Sequence, residues 1–177
     1  MHKDVERILF SEEQIIEKCK ELACQIDDFY KDADHIFTVG LLKGSIPFMA
    51  ELCKHLQTPL TMNFMQASSY DGVESKELKI KHDLEASVEG EHVLIIEDIL
   101  DTGKTLSNVK KLLVERGAKD VTVVTLLDKV EGRTFDFKAD FYGFVCPNEF
   151  VIGFGLDFNE NYRQLPYVGV LKESCYK

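Results

Sequence analysis

The sequence contains no tryptophan, only four prolines and no cysteine pair with CxxC spacing. Its five cysteines leave an odd number, so neither a disulfide framework nor a CxxC redox or zinc motif is predicted. No apolar run approaches the roughly 18 residues of a membrane-spanning helix, and the charged N-terminus lacks the apolar core of a signal peptide. These absences predict a cytoplasmic protein with reduced thiols and no association with membranes.

Basic residues are also scarce. Lys and Arg total 21 against 31 Asp and Glu, so the formal net charge is −10. Nucleic acids and anionic membranes are bound through basic surfaces, and the composition therefore argues against both as partners. A small anionic ligand remains compatible with this balance, because a few local lysines and backbone amides are enough to bind one.

The length and the order of the predicted elements indicate one α/β domain, residues 1–177. A chain of 177 residues with 45% apolar content suits a single core. Helix and strand patterns alternate, which favours a sheet flanked by helices. The apolar runs at 93–97 and 121–129 are typical of strands that are covered on both faces.

Residues typical of helix starts and turns predict where the remaining elements begin and end. Ser11 begins a capping box that predicts a first helix, and Ser45 is predicted to cap a second. A third helix is predicted over 104–116, and the polar segment 66–76 is predicted to be a loop or an open hairpin. The end of the chain is predicted to be irregular. Further strands are predicted at 35–42, 60–64, 78–84, 141–145 and 151–154.

The stretch HVLIIEDILDTGKTL, residues 92–106, combines features of two kinds of ligand site. It contains three carboxylates, Glu97, Asp98 and Asp101, and carboxylates bind both divalent metal ions and sugar hydroxyls. A Gly-Lys-Thr turn follows at Gly103 and leads into a predicted helix, whose N-terminal amides are suited to phosphate. The combination predicts a site for a phosphorylated sugar with a divalent cation.

Two other interpretations of this stretch compete with a sugar phosphate site. A P-loop requires a glycine five residues before Gly103, where Asp98 stands, so that pattern fails. Acidic residues are also common at helix starts, where they act as caps. A single acid would fit a capping role, but three beside a Gly-Lys-Thr turn favour a ligand site.

The same stretch resembles the signature of the type I phosphoribosyltransferases, which bind phosphoribosyl pyrophosphate. The resemblance covers nearly the whole chain and narrows to the hypoxanthine (hypoxanthine-guanine) phosphoribosyltransferases. It implies the type I fold, a central mainly parallel sheet flanked by helices with a small hood subdomain. The other matching segments are LLKGS (41–45), SSY (68–70), LLDK (126–129), FVIGFGLDFNENYRQLP (150–166) and VGVLK (168–172).

The resemblance also implies an activity, a cofactor and partners. The activity is purine salvage, in which the 5-phosphoribosyl group moves from phosphoribosyl pyrophosphate to N9 of hypoxanthine or guanine. The implied cofactor is Mg²⁺, the implied partners are the two small-molecule substrates, and family members form homodimers or homotetramers. The choice among hypoxanthine, guanine and xanthine stays open, since it depends on main-chain carbonyls near Val151 and Asp157.

The resemblance assigns the phosphoribosyl group to the opening stretch. Glu97 and Asp98 are expected to hold the ribose hydroxyls, directly or through Mg²⁺. The turn that follows them is expected to cradle the 5′-phosphate. Asp101 is the expected general base, which takes the proton at N7 of the purine. The implied phosphoribosyl site is Glu97, Asp98, Asp101, Thr102, Gly103, Lys104 and Thr105.

The resemblance assigns the purine to four residues further along the chain. Lys129 is expected to donate to the 6-oxo group, which selects 6-oxopurines over adenine. Phe150 is expected to stack on the base, and the main chain of Val151 to meet its 2-position. Asp157 completes this group and is also an implied metal ligand with Glu97 and Asp98. Without the resemblance, a lysine at a strand end is an ordinary solvated side chain and a lone phenylalanine is ordinary core.

The pyrophosphate and the covering loop are assigned in the same way. Lys43, Gly44 and Arg163 are expected to bind pyrophosphate, where Arg offers a fork that suits phosphate oxygens. Family members often have a cis peptide bond before the residue at Lys43. Ser69 and Tyr70 fall in the expected flexible loop. Arg133 is left open as a further residue near pyrophosphate.

Two other functions remain as alternatives. A regulator could keep the fold, sense phosphoribosyl pyrophosphate and bind RNA or DNA, but this chain is acidic and retains both Asp101 and Lys129. Transfer to adenine, orotate or xanthine is the other alternative, and Lys129 with Phe150 argues against adenine. The sequence therefore favours a 6-oxopurine as the acceptor.

Overall fold

The structure, a computed structural model, describes residues 1–69 and 78–177. Its elements, in chain order, are β1 (Val5–Phe10), α1 (Glu12–Phe29), β2 (Ile36–Leu41), α2 (Ser45–Cys53), β3 (Leu60–Ser69), β4 (Leu78–His82), β5 (His92–Leu100), α3 (Lys104–Glu115), β6 (Asp120–Asp128), β7 (Phe141–Val145), β8 (Val151–Ile152) and β9 (Val168–Leu171). Two short 3-10 helices follow β6 and β9, at Val130–Gly132 and Glu173–Cys175.

The larger sheet has six strands in the order β4-β3-β2-β5-β6-β7. All neighbours are parallel except β4, which lies antiparallel to β3 at one edge. Leu94 and Ile96 of β5 pack with α1 and α2, whereas the alternate residues Val93 and Ile95 pack with α3. Both faces of β5 are thus buried, which is the physical reason for its continuous apolar sequence.

The smaller sheet is the expected hood, and it has three antiparallel strands in the order β1-β9-β8. The prediction of an irregular chain end is wrong here, because all four residues of β9 are buried between β1 and β8. β1 is partly exposed and carries the charged pair Glu6 and Arg7 directly after Val5, so no apolar alternation marks it as a strand. Pairing with a distant segment, rather than local pattern, makes both of them strands.

The helix predictions are confirmed with one exception. The capping box of α1 is present, since Gln14 N donates to Ser11 Oγ at 3.3 Å and Ser11 N donates to Gln14 Oε1 at 2.8 Å. The prediction that Ser45 caps α2 is wrong. The helix begins at Ser45 itself with Gly44 as its N-cap, and the Ser45 hydroxyl is buried without a hydrogen-bond partner.

The segment 66–76 is partly described by the structure. Residues 66–69 belong to β3 and pair with β4, so they are strand rather than loop and form one arm of a hairpin. Tyr70 and the rest of that segment lie outside the described residues.

All five cysteines are free thiols. Among the helices of the described ranges, none has both the length and the apolarity to cross a membrane.

Candidate active site

β5 places two carboxylates within the end of the parallel sheet and a third just beyond it. The strand runs to Leu100, so Glu97 and Asp98 are strand residues, and Asp101 follows at the carboxyl end. The helix α3 begins three residues later, at Lys104. In open α/β sheets, ligands bind at this end of the strands, beside the helix N-termini.

The turn between β5 and α3 depends on Gly103. Its φ of 84° lies in the left-handed region, and a Cβ there would sit 3.2 Å from Arg133 Cδ and 3.1 Å from Phe137 Cβ. The backbone of this turn is stabilised by a hydrogen bond to a later segment, because Phe135 N donates to the Thr102 carbonyl at 3.0 Å. A side chain at position 103 would therefore strain the turn and push it away from its support.

The turn opens on a cavity of about 230 Å³. Lys104 belongs to the same turn, where its amide donates to Thr102 Oγ1 at 3.3 Å. The cavity therefore gathers most of the implied phosphoribosyl site in one place, with the end of β2 and the β3 strand as its other walls. The lining residues are Leu41, Ala67, Ser68, Glu97, Ile99, Leu100, Asp101, Thr102, Gly103, Thr105 and Leu106.

Glu97 and Asp98 are an enclosed pair of acids. Glu97 Oε2 is buried and has no hydrogen-bond partner, although other atoms of the residue are accessible. Burial, followed by the negative charge of Asp98, raises the pKa of Glu97 well above its ordinary value. Burial also raises the pKa of Asp98, against the effect of its bond from Ile99 N at 2.7 Å. Burial is the largest cause of both shifts, because it disfavours the charged form of each carboxyl group.

The carboxylates fit a magnesium ion only in part. Their hard oxygens are suitable ligands, and the unpartnered Oε2 of Glu97 is an available one. Within residues 1–69 and 78–177, however, no three acidic, histidine or cysteine side chains cluster closely enough to hold a metal by themselves. Magnesium is typically bound by one or two carboxylates together with substrate oxygens and water. The donor set therefore suits an ion that arrives with a phosphorylated substrate.

Gly132 lies between the expected general base and the expected purine lysine. A Cβ at this position would be 1.9 Å from Asp101 Oδ1 and 3.7 Å from Lys129 Cδ. Asp101 and Lys129 are therefore neighbours, even though they follow different strands. The turn from Asp101 to Thr105, which is expected to bind the 5′-phosphate, is called the phosphate turn below. The carboxylate of Asp101 thus borders the phosphate turn on one side and Lys129, the expected purine residue, on the other.

Arg133 binds the backbone at the end of β5, next to Asp101. Its Nε donates to the Asp101 carbonyl at 2.9 Å, its Nη1 to the Phe137 carbonyl at 2.5 Å, and its Nη2 to the Leu100 carbonyl at 3.4 Å. It also forms an ion pair with Asp128, and both side chains are only 15% exposed. Arg133 thus binds the backbone of the phosphate turn, and no contact of its own with pyrophosphate is needed to explain it.

Two of the four expected purine residues, Lys129 and Phe150, line a second and larger cavity of about 860 Å³, whereas Val151 and Asp157 are not part of its lining. Lys129 Nζ donates to the Glu149 carbonyl at 3.3 Å, which places the ammonium group beside Phe150. The Phe150 ring is 38% exposed, whereas Val151 is buried in β8. The structure thus brings Lys129, which directly follows β6, beside Phe150, which directly precedes Val151 in β8.

Asp157 has partners of its own on the pyrophosphate side. Its Oδ1 forms an ion pair with Arg163 Nη2 at 2.8 Å, and its Oδ2 accepts from Glu160 N at 2.9 Å. Arg163 also reaches Glu160 Oε1 at 3.2 Å, and Lys43 Nζ reaches Glu160 Oε2 at 2.7 Å. Glu160 therefore joins two of the expected pyrophosphate ligands, and these bonds lower the pKa of its carboxyl group.

The third expected pyrophosphate ligand, Gly44, lies against the acidic pair. The peptide bond before Lys43 is cis, as the resemblance implies. A Cβ at Gly44 would fall 1.8 Å from Asp98 Oδ2, and one at Gly155 would fall 1.9 Å from the Gly44 carbonyl. The chain can approach Asp98 this closely only without a side chain at position 44.

Sequence reasoning did not single out Gly132, Gly155 or Glu160. Gly155 and Glu160 lie inside the matching segment 150–166, but nothing in their local pattern distinguishes them. Gly132 precedes Arg133 in a polar stretch, and the local sequence there predicts only a loop after β6. Their roles come from close approach to residues that are far away in the sequence.

Comparisons with known proteins identify the family of this chain. Residues 7–159 match the family described as Phosphoribosyl transferase domain. The chain is 51% identical to the hypoxanthine-guanine phosphoribosyltransferase of Bacillus subtilis (strain 168), over 100% of this chain and 99% of that protein.

Solved structures show the same similarity. A hypoxanthine phosphoribosyltransferase from Staphylococcus aureus superposes with a TM-score of 0.95 at 45% identity, covering 100% of this chain and 97% of the other. The Trypanosoma cruzi hypoxanthine phosphoribosyltransferase in complex with the product IMP gives a TM-score of 0.94 at 39% identity, covering 99% of each chain. Full-length identity and the assembled site lead to one conclusion: this chain belongs to the type I phosphoribosyltransferases, within the hypoxanthine-guanine phosphoribosyltransferase family.

Proposed function

We propose that this chain transfers the 5-phosphoribosyl group from phosphoribosyl pyrophosphate to N9 of hypoxanthine or guanine, with magnesium. The products are IMP or GMP and pyrophosphate, and the reaction is a step of purine salvage. The observation that carries the proposal is the position of the Asp101 carboxylate, which borders the phosphate turn and neighbours Lys129 across Gly132. Family membership over the full chain supports the same reaction.

The phosphoribosyl group occupies the smaller cavity in this proposal. Backbone amides of the turn from Asp101 to Thr105, with the hydroxyls of Thr102 and Thr105, hold the 5′-phosphate at the N-terminus of α3. The Glu97 and Asp98 carboxylates accept hydrogen bonds from the ribose hydroxyls. Both acids carry raised pKa values in the free protein, and sugar and cation supply the partner that Glu97 Oε2 lacks.

The base enters beside Lys129 and stacks on Phe150. N9 forms a bond to C1 of the ribose, while the bond from C1 to the pyrophosphate oxygen breaks and its electron pair leaves with pyrophosphate. Asp101 takes the proton at N7 of the base, and Lys129 donates to the 6-oxo oxygen, which a 6-amino group cannot replace as an acceptor. The main chain at Val151 and Asp157 meets the 2-position.

The leaving pyrophosphate is held by the side chains of Lys43 and Arg163 and by the backbone at Gly44. Glu97, Asp98 and Asp157 are the protein ligands proposed for magnesium, which supplies positive charge that neutralises the departing group. The rest of the rate comes from holding the two reactants in line. Ser69 at the end of β3 and Tyr70, which lies outside the described residues, are proposed to belong to a covering loop that excludes water.

The proposal also covers the partners, the cellular compartment and the oligomeric state of the enzyme. Its partners are the two small-molecule substrates, with neither nucleic acid nor membrane, in keeping with a net charge of −10. Five free thiols favour the cytoplasm as its compartment. A homodimer or homotetramer is proposed from family membership.

One assay tests the reaction. Purified protein is incubated with magnesium and phosphoribosyl pyrophosphate, each base is offered separately, and nucleotide formation is followed. Hypoxanthine or guanine is expected to give its nucleotide, and adenine is expected to give none. Absence of product with every base, together with tight binding of RNA, would replace the proposal with a regulatory function.

A variant tests the role of Asp101. Asp101→Asn keeps the shape of the side chain, but it cannot take the N7 proton. Its kcat is expected to fall by about 10²–10⁴-fold, while the thermal unfolding temperature stays that of the wild type. Turnover close to that of the wild type would remove Asp101 from this role.

A further inference from the structure

The C-terminal residues after β9 fold back onto the purine site. They form the short 3-10 helix Glu173–Cys175, and the next residue, Tyr176, stacks on Phe150 with ring centroids 5.2 Å apart and an interplanar angle of 27°. The two segments are also joined through their backbones, since Leu171 N donates to the Phe150 carbonyl at 2.9 Å. The ring expected to bind the base is therefore in direct contact with the last turn of the chain.

Phe150 has a second aromatic neighbour on another side. The Phe158 ring meets it edge-on, with centroids 5.4 Å apart and an interplanar angle of 90°. Offset stacking and edge-to-face contact are both preferred geometries for aromatic pairs. Tyr176 on one face and Phe158 at the edge thus restrict the rotation of the Phe150 ring, which nevertheless stays 38% exposed.

The tyrosine is part of the wall of the large cavity and does not fill it. Phe150, Tyr176 and Lys129 all line the same space of about 860 Å³. A purine base is small compared with that volume. A base can therefore stack on the open face of Phe150 and reach Lys129 while Tyr176 keeps its place.

The position of Tyr176 is set by contacts with the N-terminus. Lys172 N donates to the Asp4 carbonyl at 2.9 Å, and Lys172 Nζ donates to the Lys3 carbonyl at 2.6 Å. From that anchor the 3-10 turn closes, with Tyr176 N donating to the Glu173 carbonyl at 3.1 Å. These bonds hold the tyrosine ring over Phe150 in the free protein.

We propose that Tyr176 is a positioning residue for the purine base, a role that rests on the proposed function. It holds the Phe150 ring in the orientation in which the open face accepts a base beside Lys129. The C-terminal turn then contributes to affinity for the base and the product nucleotide. It contributes nothing to affinity for phosphoribosyl pyrophosphate, whose phosphoribosyl group is proposed to lie in the other cavity and whose pyrophosphate is proposed to lie at Lys43, Gly44 and Arg163.

Steady-state kinetics of Tyr176→Ala and Tyr176→Phe test this role. The alanine variant is expected to raise KM for hypoxanthine by roughly three- to tenfold, which is the scale of one lost aromatic pair. Its KM for phosphoribosyl pyrophosphate and its kcat are expected to stay within about twofold of the wild type. The phenylalanine variant keeps the stacked ring and is expected to restore the KM for hypoxanthine. Calorimetry with IMP is expected to show the same pattern in Kd.

A matched control is Phe29→Ala, which removes an exposed ring that contacts Tyr30 and Phe141 edge-on at the end of α1. It is expected to change neither KM. If Tyr176→Ala does not fold, Tyr176→Leu keeps apolar bulk without a flat ring and carries the same expectation.

Two results would overturn the inference. An unchanged KM for hypoxanthine in folded Tyr176→Ala would reduce the contact to simple packing, and a lower KM would mean that Tyr176 covers the face that the base needs. Both results presuppose an active wild type. If the wild-type protein transfers to no base at all, the proposed function itself fails, so the two failures are distinguishable.

Discussion

The guanidinium of Arg133 donates from Nε to the backbone carbonyl of Asp101 at 2.9 Å. The expected general base is thus held by its main chain, while its side chain stays free to meet a substrate. Two more carbonyls and Asp128 complete the binding of this arginine. The sequence left open whether Arg133 lies near pyrophosphate, and the structure shows that it binds the backbone of the turn after β5.

Arg133→Lys tests that support. Lysine keeps the charge but cannot reach several acceptors from one planar group, so the turn loses part of its backing. We expect KM for phosphoribosyl pyrophosphate to rise and kcat to fall, each by roughly tenfold. Steady-state kinetics with both substrates provide the measurement.

The control for this variant is Arg116→Lys. Arg116 also makes a forked pair, with both Asp83 oxygens at 2.7 Å, but it lies beyond the far end of α3. A helix of 12 residues places it roughly 18 Å from the phosphate turn. Equal effects of the two substitutions would show that loss of any arginine fork, rather than support of this turn, explains the kinetics.

Gly132→Ala tests the closeness of Asp101 to its neighbour. A methyl group at position 132 falls 1.9 Å from Asp101 Oδ1, and the carboxylate must rotate away. Because the obstructed atom is the end of a side chain, we expect kcat to fall by about tenfold or more while the unfolding temperature changes little. A variant with the kcat of the wild type would mean that Asp101 works equally well in another orientation.

Glu97→Gln tests whether the buried pair of Glu97 and Asp98 lowers the free energy of unfolding of the protein. In the free protein, Glu97 Oε2 is buried without a partner beside Asp98, and an amide group there could donate to its neighbour. We expect the variant, measured by urea unfolding with a metal chelator present, to be more stable than the wild type by about 1 kcal/mol. Its transfer activity is expected to fall, since ribose and metal ligation need the carboxylate. Lower stability in the variant would contradict this account.

Glu160→Gln tests the contact that joins Lys43 and Arg163, the two cations proposed to bind pyrophosphate. The Glu160 carboxylate pairs with Lys43 and Arg163, and an incoming pyrophosphate must displace it. The neutral amide competes less, so we expect product inhibition by pyrophosphate to become stronger by a few-fold. Glu115→Gln removes an exposed acid that pairs with Lys111 on α3, and it is expected to leave the inhibition constant unchanged. Weaker inhibition in Glu160→Gln would mean that Glu160 orients the cations instead of competing for them.

Much of the core and the phosphate turn followed from local sequence. The apolar run at 93–97 could only be a strand buried on both faces, because alternate residues reach α1 and α2 on one side and α3 on the other. Gly103 takes the left-handed backbone that a tight turn before a helix requires. The residue types alone, acids beside such a turn, predict a site for sugar and metal.

Other features had no local signal. β9 has four residues and is a strand because β1 and β8 pair with it from opposite ends of the chain. Ser45 has the residue type of a cap, yet the chain brings Gly44 against Asp98 and begins the helix at Ser45, one residue earlier than a capping serine would. Resemblance identified Phe150 as the stacking ring, but nothing in the sequence placed Tyr176 upon it.

By itself, the sequence determined the apolar periods, the glycine that permits the turn and the chemical types of the ligands, because these are properties of single residues and near neighbours. Tertiary structure alone decided which of them meet. The contacts of Gly132 with Asp101, of Glu160 with Lys43 and of Tyr176 with Phe150 join segments that only long-range packing brings within a few ångströms. Side-chain contact depends on that packing, which no local pattern records.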